Sequence, residues 1–132
     1  MSSGVRAVVA GHGSFATGLV SAVDQITGRG AELATLSNRD LGGAEIEERL
    51  RDHVEAGVRV IFTDLPAGSV TLAARKIMRD HPELALVTGA NVAVLLEFVM
   101  GDADDAGAPA RAAEKGRQAL ASHRTTGVAR AD

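Results

Sequence analysis

The sequence predicts an α/β fold, a small doubly wound and mainly parallel sheet of order 2-1-3-4 with helices on both faces. Three observations predict it. Short β-rich apolar runs alternate along the chain with stretches whose apolar residues recur at helical spacing. The runs Val8-Val9 and Val60-Ile61-Phe62 are continuous, as strands covered on both faces are. Strands that alternate with helices imply crossovers over a parallel sheet. With 132 residues the chain has the length of one domain. The reading is a single domain over 1–132, with a core at 5–101, a linker at 102–109, a C-terminal helix at 110–121 and a polar tail at 122–132.

The elements follow in order. Val5 to Ala10 reads as a strand that stops at Gly11. Phe15, Leu19, Val23 and Ile26 mark one apolar face of a helix that ends at Gly28 and Gly30. Glu32 to Leu36 is a weaker strand, followed by a loop through Asn38, Arg39, Asp40, Gly42 and Gly43. Ile46, Leu50 and Val54 mark a second helix, with Glu47 and Arg51 spaced i, i+4 on its wet side and Gly57 as its stop. Val58 to Thr63 is the clearest strand and ends at Asp64. After the tight loop Pro66-Ala67-Gly68-Ser69, a third helix carries Leu72, Ala73 and Ile77 and closes at His81-Pro82. Leu84 to Thr88 is a fourth strand, and Asn91 is placed to cap a short apolar helix through Met100. Ala110 to Ala121 is expected to be the last helix.

Composition removes several function classes. There is no cysteine, hence no disulfide framework, zinc ribbon or iron–sulfur site. The net charge of −3, with no Trp or Tyr and three Phe, argues against nucleic acid and against stacking on bases or sugar rings. No apolar run approaches the roughly 20 residues of a membrane span, and Met1-Ser2-Ser3-Gly4 does not open like a signal peptide. A cytoplasmic location is the expectation.

Ligands of open α/β sheets bind beyond the carboxyl ends of the strands, where the strand order reverses. In a 2-1-3-4 sheet that point lies between the first and third strands, and the polar residues just past their ends are His12 and Asp64. Neighbouring strands are about 4.8 Å apart, which brings an imidazole and a carboxylate within hydrogen-bonding range. Gly68-Ser69 and Gly89-Ala90-Asn91 each lead into a helix N-terminus, where free N–H groups favour an anion. Asp64 would then fix one ring nitrogen of His12 and leave the other a nucleophile, with amides and the Ser69 hydroxyl holding a phosphoryl group. Plainer readings stand beside this one. A His–Asp pair can be an ordinary hydrogen bond, Gly11 and Gly13 turn residues, and Ser69 and Asn91 helix caps. Two ligands are too few to name a metal. His53, His81 and His123 read as structural or solvent-exposed.

Three blocks carry a family resemblance: Val8-Val9-Ala10-Gly11-His12-Gly13-Ser14-Phe15-Ala16-Thr17-Gly18-Leu19, Phe62-Thr63-Asp64-Leu65-Pro66-Ala67-Gly68-Ser69, and Val87-Thr88-Gly89-Ala90-Asn91 with the apolar helix after it. In order and in spacing the chain resembles the mannose-type IIA domains of the bacterial phosphoenolpyruvate-dependent sugar phosphotransferase system, the N-acetylgalactosamine branch above all. The resemblance implies that His12 is phosphorylated by the carrier HPr and passes the group to a IIB component bearing cysteine or histidine. It implies that Asp64 orients His12, that Ser69 contacts the phosphate beside Gly13 and Gly68, and that Ser14, Phe15, Leu65 and Asn91 line the site. It implies a homodimer with an exchanged C-terminal strand, an indirect link to a membrane IIC/IID permease, and no cofactor. The chain departs from the family's Gly-Gly-Ser/Thr-Pro at Ala67 and Val70.

Two alternatives resemble parts of the same pattern. One is the phosphotransfer subunit of the phosphotransferase-dependent dihydroxyacetone kinase, whose second loop lacks the Pro66-Ala67 found here. The other is a short sirohydrochlorin-type metal chelatase, which shares the Gly11-His12-Gly13-Ser14 opening but relies on a further histidine at another strand end.

Overall fold

A computed structural model describes residues 4–102 and 105–125. Strand β1 (Ala7–Gly11) is buried along its whole length. It leads into α1 (Phe15–Thr27), which Gly28 closes in the left-handed conformation at φ 73°. A 3-10 turn over Gly30–Glu32 precedes β2 (Leu33–Ser37). Then come α2 (Gly43–Glu55), β3 (Val60–Thr63), α3 (Ser69–Asp80), β4 (Ala85–Val87), α4 (Val92–Met100) and α5 (Ala108–Ala119). All three strand pairings are parallel and the order is β2-β1-β3-β4, as the sequence predicts.

Strand residues alternate between two apolar layers. Ala7, Val9, Val60 and Phe62 face one layer with Ala16 and Val23 of α1, Leu95 and Val99 of α4, and Ala112 of α5. Val8, Ala10 and Ile61 face the other, with Ile46 and Leu50 of α2 and Val70, Ala74 and Ile77 of α3. Both faces are thus covered, which explains the uninterrupted apolar runs. The Phe62 and Phe98 rings meet edge to face at 5.2 Å in the first layer.

Three expectations shift. Ile26 is 62% exposed, because the buried stripe of α1 is centred on Ala16 and Val23, roughly 80° around a 3.6-residue helix from it. Leu72 is exposed for the same reason, since α3 packs through Val70, Ala73, Ala74 and Ile77. The last helix starts and ends two residues earlier than expected, with Pro109 in its first turn, where the missing N–H costs nothing. The tail beyond Thr125 lies outside the described residues.

Arg6 precedes β1 rather than joining it. Its guanidinium donates to the Phe98 and Val99 carbonyls at 3.0 and 2.9 Å and pairs with Glu32 at 3.0 Å. It also lies 4.7 Å from the centroid of the Phe98 ring. One cation thus covers the negative end of α4 and ties the chain start to it.

Candidate functional site

The register of β1 against β3 pairs Ala10 with Thr63, so the next residues outward are Gly11 and Asp64, with His12 one step beyond. The Asp64 carboxylate reaches across to His12, where Oδ2 accepts from the backbone N–H at 2.9 Å and bonds ring Nδ1 at 2.8 Å. Topology and sequence converge on the same pair. The Asp64 side chain is 13% exposed and that of His12 52%. Burial by itself would push the Asp64 carboxyl up, but the backbone and ring hydrogen bonds from His12 and its charge hold it below the ordinary carboxylate value. The carboxylate is therefore ionised at neutral pH. A carboxylate accepts only, so in the bond to it Nδ1 is the donor, and in the neutral ring the lone pair then falls on Nε2. Nε2 makes no hydrogen bond among the described residues.

Gly11 has a sharper role than a turn. A Cβ there would lie 2.6 Å from the Phe15 ring and 2.8 Å from the Asp64 carboxyl carbon. The carboxylate crosses the strand end through the space that only glycine leaves. Gly13 adopts φ 52°, a left-handed turn that sends the chain from His12 into α1. Ser14 occupies the N-cap of α1 without a side-chain cap bond. The Phe15 N–H donates to the His12 carbonyl at 3.0 Å, and its ring packs into the core layer.

On the β3 side, Gly68 is the N-cap of α3 at φ 111°. A Cβ there would stand 3.7 Å from His12 Cε1, so the ring lies against bare backbone. The capping position thus belongs to Gly68 and not to Ser69. Ser69 is the first residue of α3, and its exposed hydroxyl makes no hydrogen bond among the described residues. Without a side-chain cap, the first-turn amides of α3 remain available to an anion beside His12. Val70, where the resembling family has proline, is buried at 1% exposure against the α2 layer.

Two residues that sequence reasoning missed hold this loop. Thr63 and Thr71 are buried and bond each other at 2.8 Å, and Thr71 donates to the Leu65 carbonyl at 2.6 Å. They fix the peptide that follows Asp64, while the Leu65 side chain is left 51% exposed. The signal was two threonines eight residues apart, flanking the loop. Asn91 is placed as the predicted cap. Its Oδ1 accepts from Val94 N–H at 2.9 Å and its Nδ2 donates to the Gly116 carbonyl at 3.1 Å. Its amide is committed to joining α4 and α5. Among the described residues no group of three or more His, Cys, Asp or Glu is placed to hold a metal ion.

An imidazole hydrogen-bonded to a carboxylate and lying beside a helix N-terminus is an arrangement that can accept a phosphoryl group. A family model, EIIA-man, described as PTS system fructose IIA component, matches residues 6–114. The chain belongs to the EIIA-man family. It is a phosphocarrier component of the sugar phosphotransferase system, with a role in phosphoryl transfer and with HPr and IIB components as its partner classes.

Solved structures share the fold. The mannose/sorbose-specific IIA subunit of the phosphotransferase system from Enterococcus faecalis superposes with a TM-score of 0.80 at 23% identity, covering 97% of this chain and 99% of that one. The PTS IIA protein associated with the fucose utilization operon of Streptococcus pneumoniae gives 0.77 at 22% identity, covering 92% and 96%. Among curated proteins no sequence matches. No helix among the described residues is long and apolar enough to cross a membrane.

Proposed function

We propose that this EIIA-man member carries its phosphoryl group on Nε2 of His12, accepting it from HPr and passing it to a IIB component for sugar uptake. The carrying observation is the 2.8 Å bond from His12 Nδ1 to Asp64, which leaves Nε2 as the nucleophile. The Nε2 lone pair attacks phosphorus, and the bond from phosphorus to the donor atom breaks. Its electron pair leaves with the donor, while the proton stays on Nδ1. The ring gains formal positive charge as the new N–P bond forms, and the Asp64 carboxylate at hydrogen-bond distance balances it. Charge on the phosphoryl oxygens meets the α3 amides and the Ser69 hydroxyl. Transfer onward to IIB is the same step reversed, with the acceptor's nucleophile attacking.

HPr and IIB meet the chain in the cytoplasm, and a membrane IIC/IID permease receives the phosphate's effect only through IIB. The domain acts as one unit over 1–132. A homodimer is the expected assembly. In support, β4 bonds only β3 among the described residues, which leaves its outer edge without a strand. Sedimentation would show a monomer if this is wrong.

The test is phosphorylation by phosphoenolpyruvate, enzyme I and HPr, read by intact mass as one acid-labile phosphate. Labelling of the wild type and none of His12→Ala is the expected result. Labelling that survives His12→Ala, or no labelling with the cognate HPr, would overturn the assignment.

A further inference from the structure

The loop after β2 brings a cation to the His12 loop. β2 pairs with β1 on the side away from β3, with Gly11 opposite Ser37. The residues after Ser37 therefore flank those after Gly11. Asn38 N–H donates to the Gly11 carbonyl at 3.1 Å, which fastens this loop to the end of β1. The Arg39 N–H bonds Ser37 Oγ at 3.1 Å, and Leu41 N–H bonds the Asn38 carbonyl at 3.1 Å. Within this turn Asp40 holds φ 63°, the one positive φ of a non-glycine among the described residues. Such a conformation costs energy and persists only where its surroundings impose it.

The turn directs Arg39 at the active loop. Its Nη2 lies 3.5 Å from the position a Cβ of Gly13 would occupy. The guanidinium thus covers the bare face of the residue that follows His12. It is exposed and makes no hydrogen bond or ion pair with a described side chain, although the Asp40 carboxylate follows it in sequence. Arg49, Arg75, Arg79 and Arg124 likewise make no ion pair among the described residues, but only Arg39 comes beside Gly13.

We propose that the Arg39 guanidinium binds the phosphoryl group on His12, closing the site on the side opposite α3. The inference rests on His12 being the phosphorylated residue. A phosphoryl dianion there stands beside the ionised Asp64, and a helix N-terminus offers only about half a positive charge. A full charge in a planar two-pronged donor matches the oxygens left on the β2 side. A Cβ at Gly13 would meet the guanidinium at ordinary contact distance, so the φ of 52° and not the space calls for glycine there.

Phosphoramidate tests this without a protein donor. The Nε2–P bond forms, the donor P–N bond breaks, and its electron pair leaves on the protonated nitrogen as ammonia. The wild type, Arg39→Gln and Arg39→Lys would be phosphorylated in this way and titrated by 31P NMR. Arg39→Gln is expected to take phosphate roughly tenfold more slowly, and its phosphoryl group to titrate about half a pH unit or more higher than in the wild type. Arg39→Lys is expected to restore part of both. Equal rates and equal titrations in wild type and Arg39→Gln would overturn the inference while leaving His12 as the carrier. A defect seen only with HPr would also overturn it, because the guanidinium would then be docking a protein. A wild type that takes no phosphate on His12 would remove both assignments.

Discussion

Gly11→Ala gives the sharpest test of why the strand end is built as it is. Gly11 lies outside the left-handed region, so alanine is opposed there by space alone. The added methyl would stand 2.6 Å from Phe15 Cδ2, 2.8 Å from Asp64 Cγ and 2.9 Å from Asp64 Oδ2. Comfortable contact begins near 3.5 Å, so ring and carboxylate must each withdraw by roughly 0.6–0.9 Å. Phe15 has little room, being packed in the core and bonded through its N–H to the His12 carbonyl. The carboxylate must move most, and its Oδ2 holds both bonds to His12 at 2.9 and 2.8 Å. A retreat of that size stretches both to about 3.5 Å, where a hydrogen bond is largely lost.

Overpacking of this kind costs about 1–3 kcal/mol of stability. Loss of a charge-assisted bond, about 1.5–3 kcal/mol, slows acceptance of phosphate by roughly 10- to 100-fold. Rapid-quench transfer from phosphorylated HPr measures the rate, and urea unfolding the stability. Gly18→Ala is the control. Nothing lies within 4 Å of its added methyl, so helix propensity alone stabilises α1 by about 0.5–1 kcal/mol, with transfer unchanged. Gly11→Ala at the wild-type rate would refute the idea that the carboxylate's path demands glycine. In an Asp64→Asn background the same substitution is expected to slow transfer little further, because both act on one contact.

Asp64→Asn itself is expected to keep the fold and slow phosphorylation by roughly 10- to 100-fold, since an amide cannot balance the charge on the ring and offers Nδ1 a donor; an unchanged single-turnover rate would remove the orienting role. Gly116→Ala is expected to lower stability by about 1–3 kcal/mol in urea, despite alanine's better helix propensity, because its methyl would collide with Val94 Cγ2 where α5 crosses α4. Unfolding in acid should report on Glu32, whose carboxyl the Arg29 hydrogen bond above all, with help from Arg6, holds below its ordinary value of 4.5. A depressed carboxyl stabilises the fold above that value and loses the contribution as pH falls through the lower folded value. Wild-type Tm should therefore fall from about pH 4.5 downward more steeply than that of Glu32→Gln, and parallel curves would count against the pairing.

Much of the architecture was legible because it rests on short-range pattern. Continuous apolar runs such as Val60-Ile61-Phe62 betray strands covered on both faces, and that in turn dictates a parallel sheet with its ligand end at His12 and Asp64. Less legible was whatever depends on close approach between elements distant in sequence. Gly116 carries no signal in the sequence pattern, yet it lets Val94 and Asn91 come near. Thr63 ends a strand in the pattern and Thr71 carries no signal of its own, yet both are buried and bond each other. Ser69 reads as a cap, but the turn needs φ 111°, which glycine adopts and serine resists. Arg39 reads as one residue of a polar loop. Only the pairing of β2 on the far side of β1 shows that it stands against Gly13.

The shape of the site says what must come to it. A pocket for a free small molecule is concave and encloses most of its ligand, whereas the His12 ring stands half-exposed at the strand ends, and the grooves along α4 and α5 include neither His12 nor Asp64. A phosphoryl group placed there meets protein at Asp64, at the start of α3 and on the Gly13 side, with water over the rest. Leu65 and Leu72 are 51% and 55% exposed after β3 and in α3, apolar surface that gains by being covered. If His12 is the carrier, the missing wall would be supplied by the protein that delivers or removes the group, which would exclude water while it is docked. On the proposed reading, transfer would proceed in the covered complex. If donor and acceptor use the same open face in turn, an excess of unphosphorylated HPr should inhibit transfer to IIB competitively. Non-competitive inhibition would mean that the two proteins dock on different surfaces and that the single-face reading is wrong.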